Sequence, residues 1–235
     1  MYRLHLQLAL DHCTLEEAVD VAASAAPLVD TIEVGTPLLV REGVGALRQV
    51  RAQLEGYSCG LFADTKISDE GPAIARVCFE AGADAVSVVD GARTNLLGVR
   101  AIANEFGNRE VWVDLLNDAN PIIRARAIAP LVDGFIIHRP ESGLPRLLVE
   151  GLLAVDRPLR LAGGITLERA RRALRIHYTV PWRQTSMGAM EGIIVGRAIT
   201  EAPDFDAALR AFADLCHPED DRRPTTANGR IGDAR

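Results

Sequence analysis

The sequence has few cysteines and no basic block, and each absence excludes a class of protein. Its four cysteines, Cys13, Cys59, Cys78 and Cys216, are far apart and lack the paired spacing typical of zinc ligands. We therefore predict reduced thiols and no zinc site. Lys and Arg (26) are outnumbered by Asp and Glu (32). Without a basic block to neutralise phosphates, we predict no nucleic-acid partner.

The chain also lacks any run of about eighteen apolar residues, and its first residues show no basic region followed by an apolar stretch. We therefore predict no membrane partner and expect a cytoplasmic protein. The remaining composition is that of an ordinary globular protein, with 48% hydrophobic and 25% charged residues. A single α/β barrel commonly occupies a length of 235 residues.

A short apolar segment followed by a helical segment recurs eight times. The predicted strands cover residues 6–10, 31–32, 60–63, 85–89, 111–113, 135–137, 159–162 and 192–195. Strands separated by single helices run parallel, and eight such units close most simply into a (β/α)8 TIM barrel. An open doubly wound sheet is the alternative. We favour the barrel because nearly every strand ends in a polar residue or glycine.

The predicted domain organisation is one catalytic barrel domain over residues 1–216, followed by a tail. Residues 217–235 are rich in Pro, Asp, Arg, Thr and Gly and contain almost nothing apolar. We predict that this tail is disordered.

Charged side chains follow the strands at the edge that would form the mouth of the barrel. Asp64 and Lys66 end the third strand, and the alternation of side chains predicts that both point to the same side. The same mouth would collect Asp11, Glu33, Asp114 and His138. Carboxylates crowded in a partly dry cavity raise one another's pKa, and a divalent cation would compensate them. Glu33 and Asp64 are oxygen donors suited to Mg²⁺; salt bridges without a metal are the alternative.

Glycines end the seventh and eighth predicted strands, at Gly163-Gly164 and at Gly196. Phosphate sites in this fold recur after those two strands, where backbone N–H groups face the anion. Arg197 adds a planar donor fork. Turns also use glycine for steric reasons alone, but this combination predicts a site for a phosphate monoester.

These features occur in the order of a known family. The matching segments are Ala9-Leu10-Asp11, residues 32–37, Asp64-x-Lys66-x-x-Asp69, residues 79–84, Val113-Asp114-Leu115, His138, Ala162-Gly163-Gly164 and residues 196–200. From about residue 6 to residue 215, the sequence resembles the 3-hexulose-6-phosphate synthase and 3-keto-L-gulonate-6-phosphate decarboxylase group. That group belongs to the orotidine monophosphate decarboxylase superfamily.

The resemblance implies a role for each matching residue. It implies that Glu33 and Asp64 bind Mg²⁺ and that Lys66 stabilises a cis-enediolate. It also implies a homodimer with shared active sites, in which Asp69 reaches across the interface into the neighbouring site. The remaining implied roles are proton transfer for His138, substrate binding for Asp11, Asp114 and Arg139, and phosphate binding for Gly163, Gly164, Gly196 and Arg197.

The implied activity is that of a Mg²⁺-dependent lyase acting on a phosphorylated ketose, with aldol addition of formaldehyde to ribulose 5-phosphate, or its reversal, as the leading reaction. Asp114 and Ala162-Gly163-Gly164 resemble the synthases, whereas His138-Arg139 and Gly196-Arg197 resemble the decarboxylases. Glu141 stands where the decarboxylases have an arginine. Decarboxylation of a 3-keto sugar acid 6-phosphate, or epimerisation, is the second hypothesis. A barrel that binds a phosphorylated ligand without turnover is the third.

Two segments depart from the family pattern. The connection after the sixth strand is reduced to residues 140–143, and residues 178–187 form an insertion before the eighth. A connection leading into a strand belongs to the far face of a barrel. The insertion is therefore interpreted as structural packing or an oligomer contact.

Overall fold

A computed structural model describes residues 3–89, 95–116, 119–138, 146–172 and 190–218. Eight parallel strands pair in sequence order, and the last pairs with the first, which closes the sheet into a barrel. The strands are β1 His5–Leu10, β2 Thr31–Val34, β3 Gly60–Ile67, β4 Ala85–Val89, β5 Glu110–Asp114, β6 Gly134–His138, β7 Leu159–Ala162 and β8 Met190–Val195. The predicted single (β/α)8 barrel is confirmed, and the open sheet is wrong. The predicted tail lies outside the described residues from position 219 onward.

Helices cover the outside of the barrel. They are α1 Leu15–Ala25, α2 Thr36–Glu42, α3 Gly45–Gln53, α4 Gly71–Glu80, α5 Leu96–Glu105, α6 Pro121–Ile128, α7 Arg146–Leu153, α8 over residues 167–172 as far as described, α9 Arg197–Thr200 and α10 Phe205–Cys216. The sequence patterns do not predict α2, because Gly35 and Pro37 suggest a loop. Proline is tolerated in the first turn of a helix, however, and there it follows a glycine N-cap.

None of the helices described is long and apolar enough to cross a membrane. The cellular location stays a prediction.

Side chains fill the inside of the barrel in layers. The middle layer is apolar and consists of Ala9, Phe62, Ala85, Trp112, Ile136, Ala162 and Ile194. Two residues earlier along their strands lie buried polar side chains, among them Gln7 and Arg160. Two residues later lie the charged side chains of the mouth, such as Asp64 and Asp114. The period of two thus places one polar layer on each side of the apolar layer.

Aspartates that precede three even-numbered strands connect neighbouring strands at the end opposite the mouth. Asp30, Asp84 and Asp133 accept hydrogen bonds from the backbone N–H groups of Leu6 (2.8 Å), Leu61 (2.8 Å) and Val111 (2.7 Å), respectively. Each carboxylate is also paired with arginine: Arg3 with Asp30, Arg51 and Arg109 with Asp84, and Arg100 with Asp133. Because these hydrogen bonds are charge-assisted, they stabilise the strand pairs more than neutral bonds would.

Asp30 also joins helix α10 to the barrel. His217 Nε2 lies 2.8 Å from Asp30 Oδ2, and both side chains are nearly buried. Burial raises the pKa of Asp30, but hydrogen bonds from His217 and from the Leu6 N–H outweigh burial and hold that pKa well below its usual value. The attachment of the end of α10 to the barrel therefore depends on an ionised carboxylate.

Asp30→Asn should lower the free energy of unfolding by about 1–3 kcal/mol at neutral pH, because charge-assisted hydrogen bonds are replaced by neutral ones. A carboxyl whose pKa is depressed in the folded state stabilises the protein above its unfolded pKa of about 3.9 and loses this effect as the pH falls further. In urea unfolding, the difference between wild type and variant should therefore narrow below about pH 4. A difference that widens in acid would contradict this role of Asp30.

Candidate active site

A cavity of about 680 Å³ opens at the carboxyl ends of the strands, where barrel enzymes have their sites. The structure brings ten of the predicted site residues to its lining: Asp11, Glu33, Asp64, Lys66, Asp114, His138, Gly163, Gly164, Gly196 and Arg197. The volume is within the range of small-molecule sites. The prediction that the strand ends share one mouth is confirmed.

Lys66 lies between two buried carboxylates. Its Nζ is 3.0 Å from Asp64 Oδ1 and 3.0 Å from Asp114 Oδ2. Burial lowers the pKa of Lys66, but attraction to Asp64 and Asp114 outweighs burial and raises this pKa above its usual value. The amine therefore stays protonated. Lys66 is also the only lysine in the sequence.

The end of β3 is irregular at the point where it delivers Lys66. Between Ala63 and Ile67 the strand advances four residues, while β4 advances only two, from Val86 to Val88. Lys66 has a φ of 44°, in the left-handed region that costs energy for a residue with a side chain. An excess of two residues preserves the alternation of side chains. The predicted convergence of Asp64 and Lys66 is therefore correct, although it occurs on a bulged strand.

Ser87 on β4 holds this bulge in place. Its Oγ accepts a hydrogen bond from the Lys66 N–H (2.9 Å) and donates one to Asp64 Oδ1 (2.7 Å). Its carbonyl oxygen accepts a hydrogen bond from the Thr65 hydroxyl at 2.9 Å. One buried serine thus fixes both the strained backbone and the carboxylate beside it.

Thr36, at the start of α2, is a site residue that sequence reasoning missed. Its Oγ1 lies 2.8 Å from Asp64 Oδ2 and 2.7 Å from the Asp64 carbonyl oxygen. Its position directly after β2, beside Glu33 and Gly35, was the available signal. Thr36 and Ser87 together leave Asp64 little rotational freedom.

Asp114 is fully buried between Lys66 and His138. His138 Nε2 lies 2.9 Å from Asp114 Oδ2, the oxygen that also contacts Lys66. Burial raises the pKa of Asp114, but the hydrogen bond and charge of His138, together with the charge of Lys66, hold it below its usual value. An ionised carboxylate only accepts hydrogen bonds, so His138 Nε2 carries a proton, and Nδ1 is the nitrogen that can accept one when the ring is neutral.

The other oxygen of Asp114, Oδ1, has no hydrogen-bond partner among the described residues. A buried acceptor without a partner is costly. The predicted contact between Asp114 and substrate stays a prediction. The structure adds a second role for Asp114, which is to orient His138.

Three acids, Asp11, Glu33 and Asp64, crowd the opposite side of the mouth. Burial raises the pKa of Glu33 well above its usual value, and the charge of Asp64 raises it further. Burial and the charge of Asp64 also raise the pKa of Asp11. The structure therefore contains more negative charge here than Lys66 alone can compensate.

This donor set fits Mg²⁺. Carboxylate oxygens are its preferred protein ligands, and it commonly uses one or two of them while keeping several waters. In the part of the chain that the structure describes, no group of three His, Cys, Asp or Glu side chains is arranged to hold a metal. A site with fewer protein ligands remains open: Glu33 and Asp64 could supply two, with water or substrate completing the coordination.

Backbone glycines form the side of the cavity after β7. Gly163 and Gly164 have φ values of 83° and 59°, which glycine adopts without strain. The Arg169 guanidinium donates to the Gly164 carbonyl oxygen, and Arg169 and Thr166 line the cavity. Sequence reasoning missed Arg169, whose only signal was its position three residues after the helix-capping Thr166.

Gly35 makes room for Asp11, whereas Gly196 does not need to. A Cβ at position 35 would lie 2.0 Å from Asp11 Oδ1, whereas one at position 196 would make an ordinary contact of 3.5 Å with Oδ2. Arg197, which follows, is exposed at the cavity lining. Asp11 can therefore occupy its position because residue 35 has no side chain. The sequence pattern alone does not reveal this dependence.

Asp69 is exposed and lies outside this cavity lining. Its Oδ1 accepts a hydrogen bond from the Glu70 N–H at 2.9 Å. Its predicted role in the site of a second subunit stays a prediction. Arg139, Glu141, residues 140–143 and the insertion at 178–187 lie outside the described residues.

Comparison with known proteins agrees with this geometry. The model of the Orotidine 5'-phosphate decarboxylase / HUMPS family matches residues 4–212. The chain belongs to this family. A 3-hexulose-6-phosphate synthase from Mycobacterium gastri is 32% identical over 214 residues, which cover 88% of this chain and 97% of the relative.

A second relative is a decarboxylase. The 3-keto-L-gulonate-6-phosphate decarboxylase UlaD of Escherichia coli is 44% identical over 111 residues, 47% of this chain and 50% of the relative. The crystal structure of 3-hexulose-6-phosphate synthase from Salmonella typhimurium is 30% identical, with a TM-score of 0.74 over 91% of this chain and 98% of that one. An aldehyde-lyase and a carboxy-lyase are thus both similar to the chain, which confirms the predicted class of carbon–carbon lyase.

Lys66→Met should lower the free energy of unfolding by about 1–3 kcal/mol at neutral pH, because Asp64 and Asp114 lose the cation between them. The double variant K66M/D114N should recover part of this loss, since one of the two uncompensated acids is gone. Urea unfolding of wild type, both single variants and the double variant gives the coupling free energy. Strictly additive losses would contradict the shared ammonium group.

Proposed function

We propose that this chain is a Mg²⁺-dependent lyase of the 3-hexulose-6-phosphate synthase type, which joins formaldehyde to ribulose 5-phosphate through a cis-enediolate. The observation that carries the proposal is the continuous contact from Asp64 through Lys66 and Asp114 to His138. It puts a fixed positive charge beside a histidine in a cavity that is also lined by the glycines and the arginine that we propose bind phosphate. A fixed positive charge and a proton carrier are the two requirements for forming an enediolate from a sugar phosphate.

His138 is the proton carrier. With Nε2 donating to Asp114, Nδ1 takes a proton from C1 of the ketose, and the C–H electron pair forms the C1–C2 double bond as charge moves to the C2 oxygen. C1 then attacks formaldehyde. The C1–C2 π pair forms the new carbon–carbon bond, the charge on the C2 oxygen re-forms the C2 carbonyl, and the formaldehyde π pair moves to its oxygen, which takes the proton held on His138 Nδ1. Atoms and charge balance without a redox partner.

Lys66 stabilises the charge that develops on the enediolate. Its position is fixed before substrate binds, so it provides preorganised electrostatic stabilisation worth several kcal/mol, roughly 3–4 for a single well-placed donor. Glu33 and Asp64 would hold Mg²⁺, which would supply a second positive charge to the developing anion. A protonated lysine held by two carboxylates is a poor nucleophile, so Lys66 acts through its charge and not through a Schiff base.

The phosphate of the substrate binds at the ends of β7 and β8. Gly163, Gly164 and Gly196 present backbone there, and Arg197 adds a guanidinium. Asp11 and Asp114 accept hydrogen bonds from the sugar hydroxyls. Phosphate and carbonyl are thus held at opposite sides of the cavity.

Aldol chemistry is preferred over decarboxylation because the match to the synthase covers nearly the whole relative. The match to the decarboxylase is higher in identity but covers half of it. Decarboxylation of a 3-keto sugar acid 6-phosphate is the second candidate, since it would use the same enediolate.

We further propose a homodimer with shared sites. Asp69 is exposed in the turn between β3 and α4, and α4 forms an apolar groove with α2 that is lined by Val40, Ile74 and Val77. These side chains are 82%, 37% and 43% exposed, respectively, and a second copy would bury them. Asp69 would then reach the mouth of the neighbouring subunit.

With Mg²⁺, ribulose 5-phosphate and formaldehyde, the wild-type protein should consume formaldehyde and form a hexulose 6-phosphate, measured by formaldehyde assay and NMR of the product. Lys66→Met should lower kcat roughly 10²-fold or more. Borohydride added during turnover should leave no sugar on Lys66, the only lysine.

Release of carbon dioxide from a 3-keto sugar acid phosphate, without formaldehyde consumption, would favour the second candidate. Phosphate binding without either reaction would overturn the proposed catalysis.

The shared-site dimer predicts complementation between two inactive variants. In a co-refolded equal mixture of K66M and D69N, half of the dimers are mixed and each contains one complete site, so about a quarter of wild-type activity should return. A mixture as inactive as its components, or a monomer in sedimentation equilibrium, would contradict the shared site.

A further inference from the structure

A chain of buried polar side chains runs below the cavity, inside the barrel. Arg160 on β7 is 3% exposed, and its Nη1 donates to Gln7 Oε1 at 2.7 Å. Gln7 on β1 has no exposed surface, and its Nε2 donates to Glu33 Oε2 at 2.5 Å. Two hydrogen bonds thus connect the Arg160 guanidinium on β7 to Glu33, a cavity residue on β2.

The chemistry of the donors fixes the direction of this chain. A guanidinium has only donors, so the oxygen of the Gln7 amide must face Arg160 and its NH₂ group must face Glu33. Without Arg160, the amide could turn and present its oxygen to the Glu33 carboxylate. With Arg160, Glu33 meets a donor at Oε2, which leaves Oε1 for a ligand in the cavity.

Packing holds Arg160 in its position. Its guanidinium carbon lies 3.8 Å from the centroid of the Trp112 ring, and Nη2 lies 3.3 Å from Glu191 Oε1. Gly134 leaves the space that the indole needs, because a Cβ there would lie 2.3 Å from the Trp112 ring. The guanidinium group therefore stacks on the indole ring of Trp112, which keeps it in place beside Gln7.

Stability alone does not explain a charged group at this place. Arg160 Nε is buried and has no hydrogen-bond partner in the described chain. Replacing a whole buried ionic network by apolar side chains of similar volume is often neutral or stabilising. A buried arginine that is incompletely satisfied and is linked through Gln7 to the cavity residue Glu33 therefore indicates a role in the site.

We propose that Arg160 and Gln7 are positioning residues that hold the Glu33 carboxylate in the orientation required for binding Mg²⁺. The proposal rests on the proposed function only in taking Glu33 as a metal ligand. Arg160 sets the Gln7 amide, and Gln7 sets Glu33. Neither residue touches the metal or the sugar. Partners of this kind typically change metal affinity about 10–100-fold when they are removed.

The test measures metal binding without substrate. Mn²⁺ replaces Mg²⁺, and its dissociation constant is obtained from the free Mn²⁺ signal in electron paramagnetic resonance. Arg160→Met retains volume but has no donor, and Gln7→Met removes the amide. Each should raise the dissociation constant about 10–100-fold. Arg160→Lys, which can still donate to Gln7, should recover part of the affinity.

Thr31→Val is the matched control. Thr31 is buried on the strand that carries Glu33, and its hydroxyl lies 2.9 Å from His5 Nε2. This change removes a buried hydrogen bond outside the chain from Arg160 to Glu33, so it should lower the melting temperature and leave Mn²⁺ affinity unchanged. Arg160→Met should weaken Mn²⁺ binding about 10–100-fold even when its melting temperature falls no further than that of Thr31→Val.

The outcomes separate this proposal from the proposed function. If Glu33→Gln weakens Mn²⁺ binding while Arg160→Met and Gln7→Met bind as wild type does, the positioning role is wrong and the metal site stands. If the wild type binds no Mn²⁺, or Glu33→Gln has no effect, the metal assignment fails and the positioning role fails with it. Equal losses of Mn²⁺ affinity in Thr31→Val and Arg160→Met would indicate a merely structural effect and would also overturn the proposal.

Discussion

The attraction between one ammonium group and two buried carboxylates is the interaction on which the mouth of this barrel depends. Asp64 and Asp114 lie on strands β3 and β5, and Lys66 Nζ is 3.0 Å from each. Without a cation between them, two acids in a cavity would repel each other and take up protons. With it, Asp114 stays ionised and can orient His138.

To place Lys66 between these two acids, the end of β3 adopts a strained backbone, and the neighbouring strand supports it. The bulge at the end of β3 gives Lys66 a left-handed backbone, and Ser87 on the neighbouring strand holds both Lys66 and Asp64. Such strain persists only where the surroundings determine it. The aspartate–arginine pairs at the opposite end of the barrel supply rigidity, because Asp30, Asp84 and Asp133 each connect two neighbouring strands. A rigid scaffold and a strained mouth thus occur at opposite ends of the same strands.

The fold could be predicted from the sequence because each strand ends in a conspicuous change from apolar to polar or glycine residues. The strand-end residues, from Asp11 to Arg197, could be found for the same reason. Gln7 and Arg160 could not. Each stands between two leucines, a pattern that predicts a solvent-facing side chain on a sheet, whereas both faces of a barrel strand are buried. Thr36 and Arg169 were missed because their role depends on contacts between elements, and no spacing within one segment reports such contacts.

The central claim is that this mouth forms and stabilises an enediolate of a phosphorylated ketose. The most direct measurement is exchange of the C1 protons of ribulose 5-phosphate in heavy water, with Mg²⁺ and without formaldehyde, followed by NMR. Exchange reports the enediolate whichever reaction completes the turnover. We predict that the wild-type protein catalyses exchange at C1 and that Lys66→Met, although it still binds the sugar phosphate, does not. A wild-type protein that binds the sugar phosphate without exchanging its C1 protons, or equal exchange by Lys66→Met, would contradict the claim.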